Sequence, residues 1–268
     1  GRAVRAWRQE KDHPWDVIFV NGTMATKMFK QFAYGDSRYR FVFGAVTDPV
    51  GLGVIRSFED YPTANFTGMC HPVRVRQRLE FIRQCLPDAR RIGYVYADMP
   101  QSRSYLEWLK QALAEEPFKH LRFHFRKVPF VKSEHGHLRM TQLAIEYIRE
   151  LDGKVDAFIS PNDQLGIQKS YSEMVYREAS KPLVGLSRKD VVNDWGAAMS
   201  IHPDLKESGK QLAMMTVRIF EGEPVSAIRP RWPDVAYAFN LKKLKRFGIS
   251  VPPALLKKAG PDISPDPP

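Results

Sequence analysis

Cysteine is scarce in this chain of 268 residues: there are two, Cys70 and Cys85. Neither has a Cys or His partner at a spacing that metal sites use, so a centre built on thiolates is excluded. No uninterrupted apolar run reaches the ~20 residues of a membrane-spanning helix. The phosphate- and dinucleotide-binding loops are missing, as is the Gly-x-Ser-x-Gly elbow. Gly51-Leu-Gly53 lacks the third glycine and does not directly follow a strand. The seven histidines include His135-Gly-His137, a poor metal pair because no further ligand accompanies it. The chain therefore reads as a non-enzyme with neither metal nor cofactor. It starts with Gly rather than Met, which fits a leader removed by processing or truncation.

What is present is ordinary for a soluble globular protein: 43% apolar and 26% charged residues, with enough length to bury a core. The net charge of +11 raises the question of nucleic acid, but the basic residues are scattered into short clusters such as Lys242-Lys243-Leu244-Lys245-Arg246. No helix-turn-helix, zinc-finger or RNP-like pattern accompanies them, so the excess reads as a solvated basic surface and not a nucleic-acid interface. Cys85 shares the apolar side of a predicted helix with Leu79, Ile82 and Leu86, which suits a buried thiol; a Cys70–Cys85 disulfide stays open.

Periodicity gives strands alternating with amphipathic helices. A helix at 2–12 precedes strand 16–20, helix 24–32, strand 40–46, an extended piece at 65–70 and helix 73–86. A second series runs through strand 91–97, helix 102–115, strand 121–128, helix 136–151, strand 155–160, helix 164–179 and strand 182–186. Strand 197–201, helix 204–221, an extended run at 234–240 and helix 241–247 close it, and the Pro-rich tail 260–268 is expected to be disordered. Repeated βα units predict an α/β fold with parallel sheets. Two early corners stand out, Asp16-Val-Ile-Phe-Val-Asn-Gly-Thr23 and Phe41-Val-Phe-Gly-Ala-Val-Thr-Asp-Pro49. Each is an apolar, β-branched run ending in a small residue and a Thr, and ligands bind at the carboxyl ends of parallel strands.

Val42-Phe-Gly-Ala-Val-Thr-Asp-Pro-Val50 followed by Asn65-Phe-Thr-Gly68 resembles the ABC-transporter substrate-binding proteins of the tryptophan/tyrosine type. So do Cys85-Leu-Pro-Asp-Ala89, Arg91-Ile-Gly-Tyr-Val-Tyr96, Asp156-Ala-Phe-Ile-Ser-Pro-Asn-Asp163, Ser208-Gly-Lys-Gln211, Ile219-Phe-Glu-Gly-Glu-Pro224, Asn240-Leu-Lys-Lys-Leu and Phe247-Gly-Ile-Ser-Val-Pro-Pro253. The resemblance covers roughly residues 14–259 and implies a type I periplasmic-binding fold: two Rossmann-like lobes with parallel sheets, crossed by the chain three times. It also implies a first βαβ unit ahead of residue 14 that this chain lacks. The expected lobes are 1–88 with 202–230 and 89–201 with 231–259, hinged near 65–72, 197–203 and 229–236.

The expected function is an extracytoplasmic, non-enzymatic receptor that binds a small polar solute of the amino-acid class, aromatic amino acids included, and passes it to an ABC permease. It would act as a monomer in the periplasm or its equivalent, free or membrane-anchored. The alternative is a ligand-sensing domain of a signalling protein. One wall of the expected site holds Gly22, Thr23, Ala45, Thr47 and Asp48; Thr23 also suits the N-cap of helix 24–32, and Asp48 a turn. The other holds Tyr96, Ser102, Asp163 and Ser187. There Asp163, carried over from the family's strand-end Asp, is either the partner of a ligand cation or the N-cap of helix 164–179. Phe43, Tyr96 and Trp195 are candidates to sandwich a flat ligand or to fill the core.

Overall fold

The computed structural model describes residues 15–265. The expected helix 2–12 and the end of the expected tail, 266–268, lie outside the described residues. The strands are β1 (Ile18–Asn21), β2 (Phe41–Val46), β3 (Phe66–Cys70), β4 (Arg91–Ala97), β5 (Arg122–Val128), β6 (Ala157–Ile159), β7 (Leu183–Gly185), β8 (Met199–Pro203), β9 (Val235–Asn240) and β10 (Ile263–Ser264). The helices are α1 (Thr23–Ala33), α2 (Val75–Cys85), α3 (Pro100–Leu113), α4 (Gly136–Asp152), α5 (Lys169–Glu178), α6 (Arg188–Val192), α7 (Leu205–Phe220), α8 (Leu241–Arg246) and α9 (Pro253–Ala259). The chain forms two compact units and passes between them three times, at Pro72–Val73, His202–Pro203 and Asp234–Val235.

The first unit carries a parallel sheet in the order β1-β2-β3. β3 is buried throughout, and β2 everywhere except Ala45, as a strand covered on both faces requires. Phe41, Phe43 and Phe66 pack on one face with Val20 and Tyr39; Val42 and Met69 pack on the other with Met215 and Ile219 of α7. Phe43 is fully buried, so it belongs to the core and not to a ligand face. The segment Asn65-Phe-Thr-Gly68 has a local physical reason. Asn65 is buried and its side-chain amide donates to the carbonyls of Ala33, Asp36 and Tyr39, while its oxygen accepts from Gly35 N, stitching the α1–β2 turn. Thr67 donates its hydroxyl to Ile228 O at 2.7 Å.

The second unit is built on a seven-stranded sheet in the order β10-β9-β8-β7-β6-β4-β5. Alternation along β4 sends Ile92 and Tyr94 into one core layer and Val95 and Ala97 into the other. Helix α2, expected in the first lobe with the boundary after it at residue 88, groups with this unit instead. Its Leu79, Ile82 and Cys85 sit in the same core layer as Ile92 and Tyr94, and Arg76 pairs with Glu115 at 2.7 Å. Residues 231–234 go to the first unit, where Arg231 exchanges backbone hydrogen bonds with Gly68 and Cys70.

Two further expectations need correction. Helix 164–179 begins only at Lys169, because residues 164–167 form a turn. The tail is ordered through Ser264: β10 pairs in parallel with β9, and Asp262 pairs with Arg188 at 2.6 Å. Proline blocks a ladder only where its own N–H is required, and Ile263 and Ser264 have theirs.

Cys70 and Cys85 are both buried and neither is in a disulfide. Burial pushes the Cys85 thiol up to about 12, leaving almost no nucleophilic thiolate at neutral pH. A thiol reagent such as Ellman's is therefore expected to modify neither cysteine in the native protein and both in concentrated guanidinium. Rapid native labelling of either one would contradict the burial.

Candidate functional site

In the first unit, five of the expected residues converge at the carboxyl ends of β1 and β2. Gly22 is the N-cap of α1 with φ 92° and ψ 154°, a conformation essentially reserved for glycine. Its N–H donates to Gly44 O at 2.8 Å, tying the corner to the end of β2. Thr23 is the first residue of the helix and not its cap, and no side chain caps this end. Its Oγ1 instead accepts from Thr47 N at 3.1 Å, which leaves the hydroxyl hydrogen available. The uncapped start of α1 presents its first N–H groups and the positive end of the helix dipole.

Ala45 sits at the tip of β2 with φ 53°, exposed, where the β2–β3 register shifts between Phe43 and Val46. A left-handed conformation costs a residue with a Cβ roughly 1–2 kcal/mol, and such strain is held where it positions something. Asp48 turns inward to its own loop: its carboxylate accepts from Gly51 N at 2.7 Å, the expected turn role. Met24, which the sequence did not single out, is 71% exposed beside this corner and offers apolar surface.

In the second unit Ser102, Asp163 and Ser187 are taken up by hydrogen bonds within the unit. Asp163 is buried, and its four hydrogen bonds saturate both oxygens: one accepts from Ala97 N (2.9 Å) and Ser102 Oγ (2.9 Å). The other accepts from Leu165 N (2.8 Å) and Gly166 N (3.1 Å). The carboxylate thus clamps the turn after β6 to the end of β4, and it is not the cap of α5, which begins after Gln168. Burial pushes its pKa up, against the pull of those donors. Ser102 is fully buried. Ser187 is the N-cap of α6 in a reciprocal box with Asp190, whose carboxylate also accepts from Leu186 N (2.7 Å) and Ser187 N (2.9 Å). Tyr96 packs against the core layer beside Tyr94, at 5.8 Å between rings. Trp195 is half-buried.

The residue that sequence reasoning missed here is Arg78 of α2. It is 2% exposed, and its Nη2 donates to Ser160 O, at the carboxyl end of β6, at 2.6 Å. The signal was present: Arg78 lies four residues before Ile82 and seven before Cys85, a cation on the buried stripe of an amphipathic helix.

Two surface hollows lie at the opposite ends of the sheets. One of about 470 Å³ is lined by Tyr39, Asn65 and Pro224, and another of about 390 Å³ by Ala89, Asp156 and Gly248. Both border the amino ends of strands, away from the corner of Thr23 and Thr47. Among the described residues no group of three or more His, Cys, Asp or Glu is placed to hold a metal. No described helix is long and apolar enough to cross a membrane.

The model of the ABC transporter substrate binding protein family matches residues 1–263. The chain belongs to that family. The type I periplasmic-binding fold that the resemblance implied is the fold of this chain. A tyrosine-binding protein of Clostridioides difficile (strain R20291) is 23% identical over 215 residues, 80% of this chain. The chain spans 57% of the length of that relative.

Among solved structures, a conserved domain protein from Vibrio cholerae superimposes with a TM-score of 0.72 at 22% identity, covering 98% of this chain and 83% of that one. The ABC domain from Streptococcus pneumoniae in complex with L-Trp gives 0.71 at 21% identity, covering 96% and 81%. A ligand-free, open substrate-binding protein with adhesive properties from Clostridium difficile gives 0.68 at 22% identity, covering 93% and 77%. At these identities the structural likeness carries the fold.

Proposed function

We propose that this substrate-binding protein is the solute receptor of an ABC importer, taking a small polar solute of the amino-acid class, with aromatic amino acids first in line. It works outside the cytoplasm as a monomer, free or membrane-anchored, and hands the solute to a membrane permease without chemistry. The observation that carries this reading is the corner of Gly22, Thr23, Ala45 and Thr47 in a chain of substrate-binding family. There an uncapped helix start, a free hydroxyl hydrogen and a strained strand tip converge at strand carboxyl ends. A carboxylate or hydroxyl of the solute is the natural acceptor for such donors. Ligands of the family's relatives, tyrosine and tryptophan, are the first candidates to try.

A thermal-shift screen against the amino acids tests it, since a ligand bound only by the native form stabilises by about 2.7 kcal/mol at a hundred times its Kd. Thr23→Val keeps the shape and removes the hydroxyl; it is expected to weaken the responding amino acid roughly tenfold and to lower ligand-free stability by about 1 kcal/mol, because Thr47 N loses its acceptor. An unchanged Kd in that variant, by calorimetry, would move the site away from this corner.

A further inference from the structure

Arg78 is a buried guanidinium that the fold does not finish pairing. Its Nη2 has Ser160 O, but Nε and Nη1 have no hydrogen-bond partner among the described residues. The Ser160 hydroxyl beside it is equally without one. The acidic groups of this region are already spent. Asp163 accepts four hydrogen bonds, and both oxygens of Asp190 are taken up by Leu186 N, Ser187 N and Ser187 Oγ. Asp190 acts on Arg78 through the field alone. Tyr94 and Tyr171, both buried near the same charge, pair their hydroxyls with Asn162 N and Val95 O and are held neutral by burial. A guanidinium cannot shed its proton, and burying it with two donor nitrogens unanswered is costly. The missing acceptor is thus an oxygen that bears negative charge, and it belongs at the carboxyl end of β6, where parallel sheets take ligands.

We propose that Arg78 is the anion-recognising residue of the second unit, its Nε and Nη1 holding a carboxylate oxygen of the solute. The inference deepens the solute-receptor reading and rests on it: it narrows the solute class to small carboxylic acids, amino acids among them, and excludes neutral sugars and plain amines. The Ser160 hydroxyl supplies a further donor to the same group.

The experiment is calorimetry on the wild-type chain with matched probes. L-tyrosine and L-tryptophan are compared with tyramine and tryptamine, which lack the carboxylate, and with 3-(4-hydroxyphenyl)propionate, which keeps it and lacks the ammonium. L-glutamate, succinate and a neutral sugar, ribose, complete the panel. The expected result is that binding follows the carboxylate, with the amines weaker roughly 10- to 100-fold, and that Arg78→Gln removes this preference. Arg78→Lys, which keeps the charge and loses the planar donors, is expected to fall in between. Amines binding as well as their acids, or ribose alone binding, would overturn the role of Arg78 while leaving a solute receptor standing. Silence of the wild-type chain to the whole panel would overturn both. Should Arg78→Gln fail to fold by circular dichroism, Arg78→Lys carries the test: an acid-over-amine preference equal to that of the wild type would overturn the role of Arg78. Equal acid and amine affinities in the wild type leave Arg78 a hydrated structural cation only, which overturns the proposal.

Discussion

Asp163→Ala is expected to lower the unfolding free energy by about 4 kcal/mol or more, because it strips an acceptor from four buried donors at once. The N–H groups of Ala97, Leu165 and Gly166 and the hydroxyl of Ser102 all end on this carboxylate, and none has water to turn to. Against the usual ~5–15 kcal/mol of domain stability, that loss leaves the second unit marginal. Urea unfolding followed by circular dichroism measures it. Asp163→Asn keeps one acceptor oxygen and is expected to cost roughly half as much. The pH dependence supplies a second reading. Burial raises the native pKa of Asp163 above its ordinary 3.8, so the native state binds this proton more tightly than the unfolded chain. The contribution therefore falls as pH rises from 3.8 through the raised native value, and Asp163→Asn removes that slope. A variant that melts like wild type yet loses solute binding would return Asp163 to the role of ligand partner.

Gly68→Ala is the second change with a large expected effect. Gly68 lies in the middle of β3 at φ 151°, directly against β2. A Cβ there would fall on the carbonyl oxygen of Phe43 and 2.6 Å from its backbone nitrogen. Backbone cannot swing aside as a side chain can, so the β2–β3 ladder has to part, together with the stacked Phe41 and Phe66 rings 4.3 Å apart. The expected cost is about 3 kcal/mol or more, enough to expose the first unit to limited proteolysis at temperatures the wild type tolerates. Gly22→Ala is the control: nothing lies within 4 Å of its added Cβ, so only the torsional strain remains. Equal behaviour of the two variants would mean that the close approach at Gly68 carries no energy.

Much of the fold was legible because its signals are local. Runs such as Phe41–Val46 and Arg91–Ala97 are apolar and β-branched, and the helices between them show a clear apolar stripe. Helix α6, helix α9 and strand β10 escaped notice because they are five, seven and two residues long, too short for periodicity to register. Helix α2 was read correctly as a helix but grouped with the wrong neighbours. Its stripe of Leu79, Ile82 and Cys85 says that a face is buried and is silent on what covers it.

The candidate site divides in the same way. In the first unit Gly22, Thr23, Ala45 and Thr47 share one corner because each lies within a few residues of a strand end. In the second unit, polar residues chosen by the same rule were tied up elsewhere: Ser102 and Asp163, 61 positions apart, satisfy each other. Arg78 escaped for the converse reason, since its one acceptor, Ser160 O, is 82 positions away.

By itself the sequence determined the alternation of strands and helices, the family, and the absence of the common catalytic and metal-binding motifs. These follow from patterns a few residues long, where backbone preference and side-chain polarity decide. Only the tertiary structure decided which polar groups remain unspent, because a hydrogen bond between distant segments leaves no mark on either one. That is why Asp163 became a clamp and Arg78 an unanswered charge.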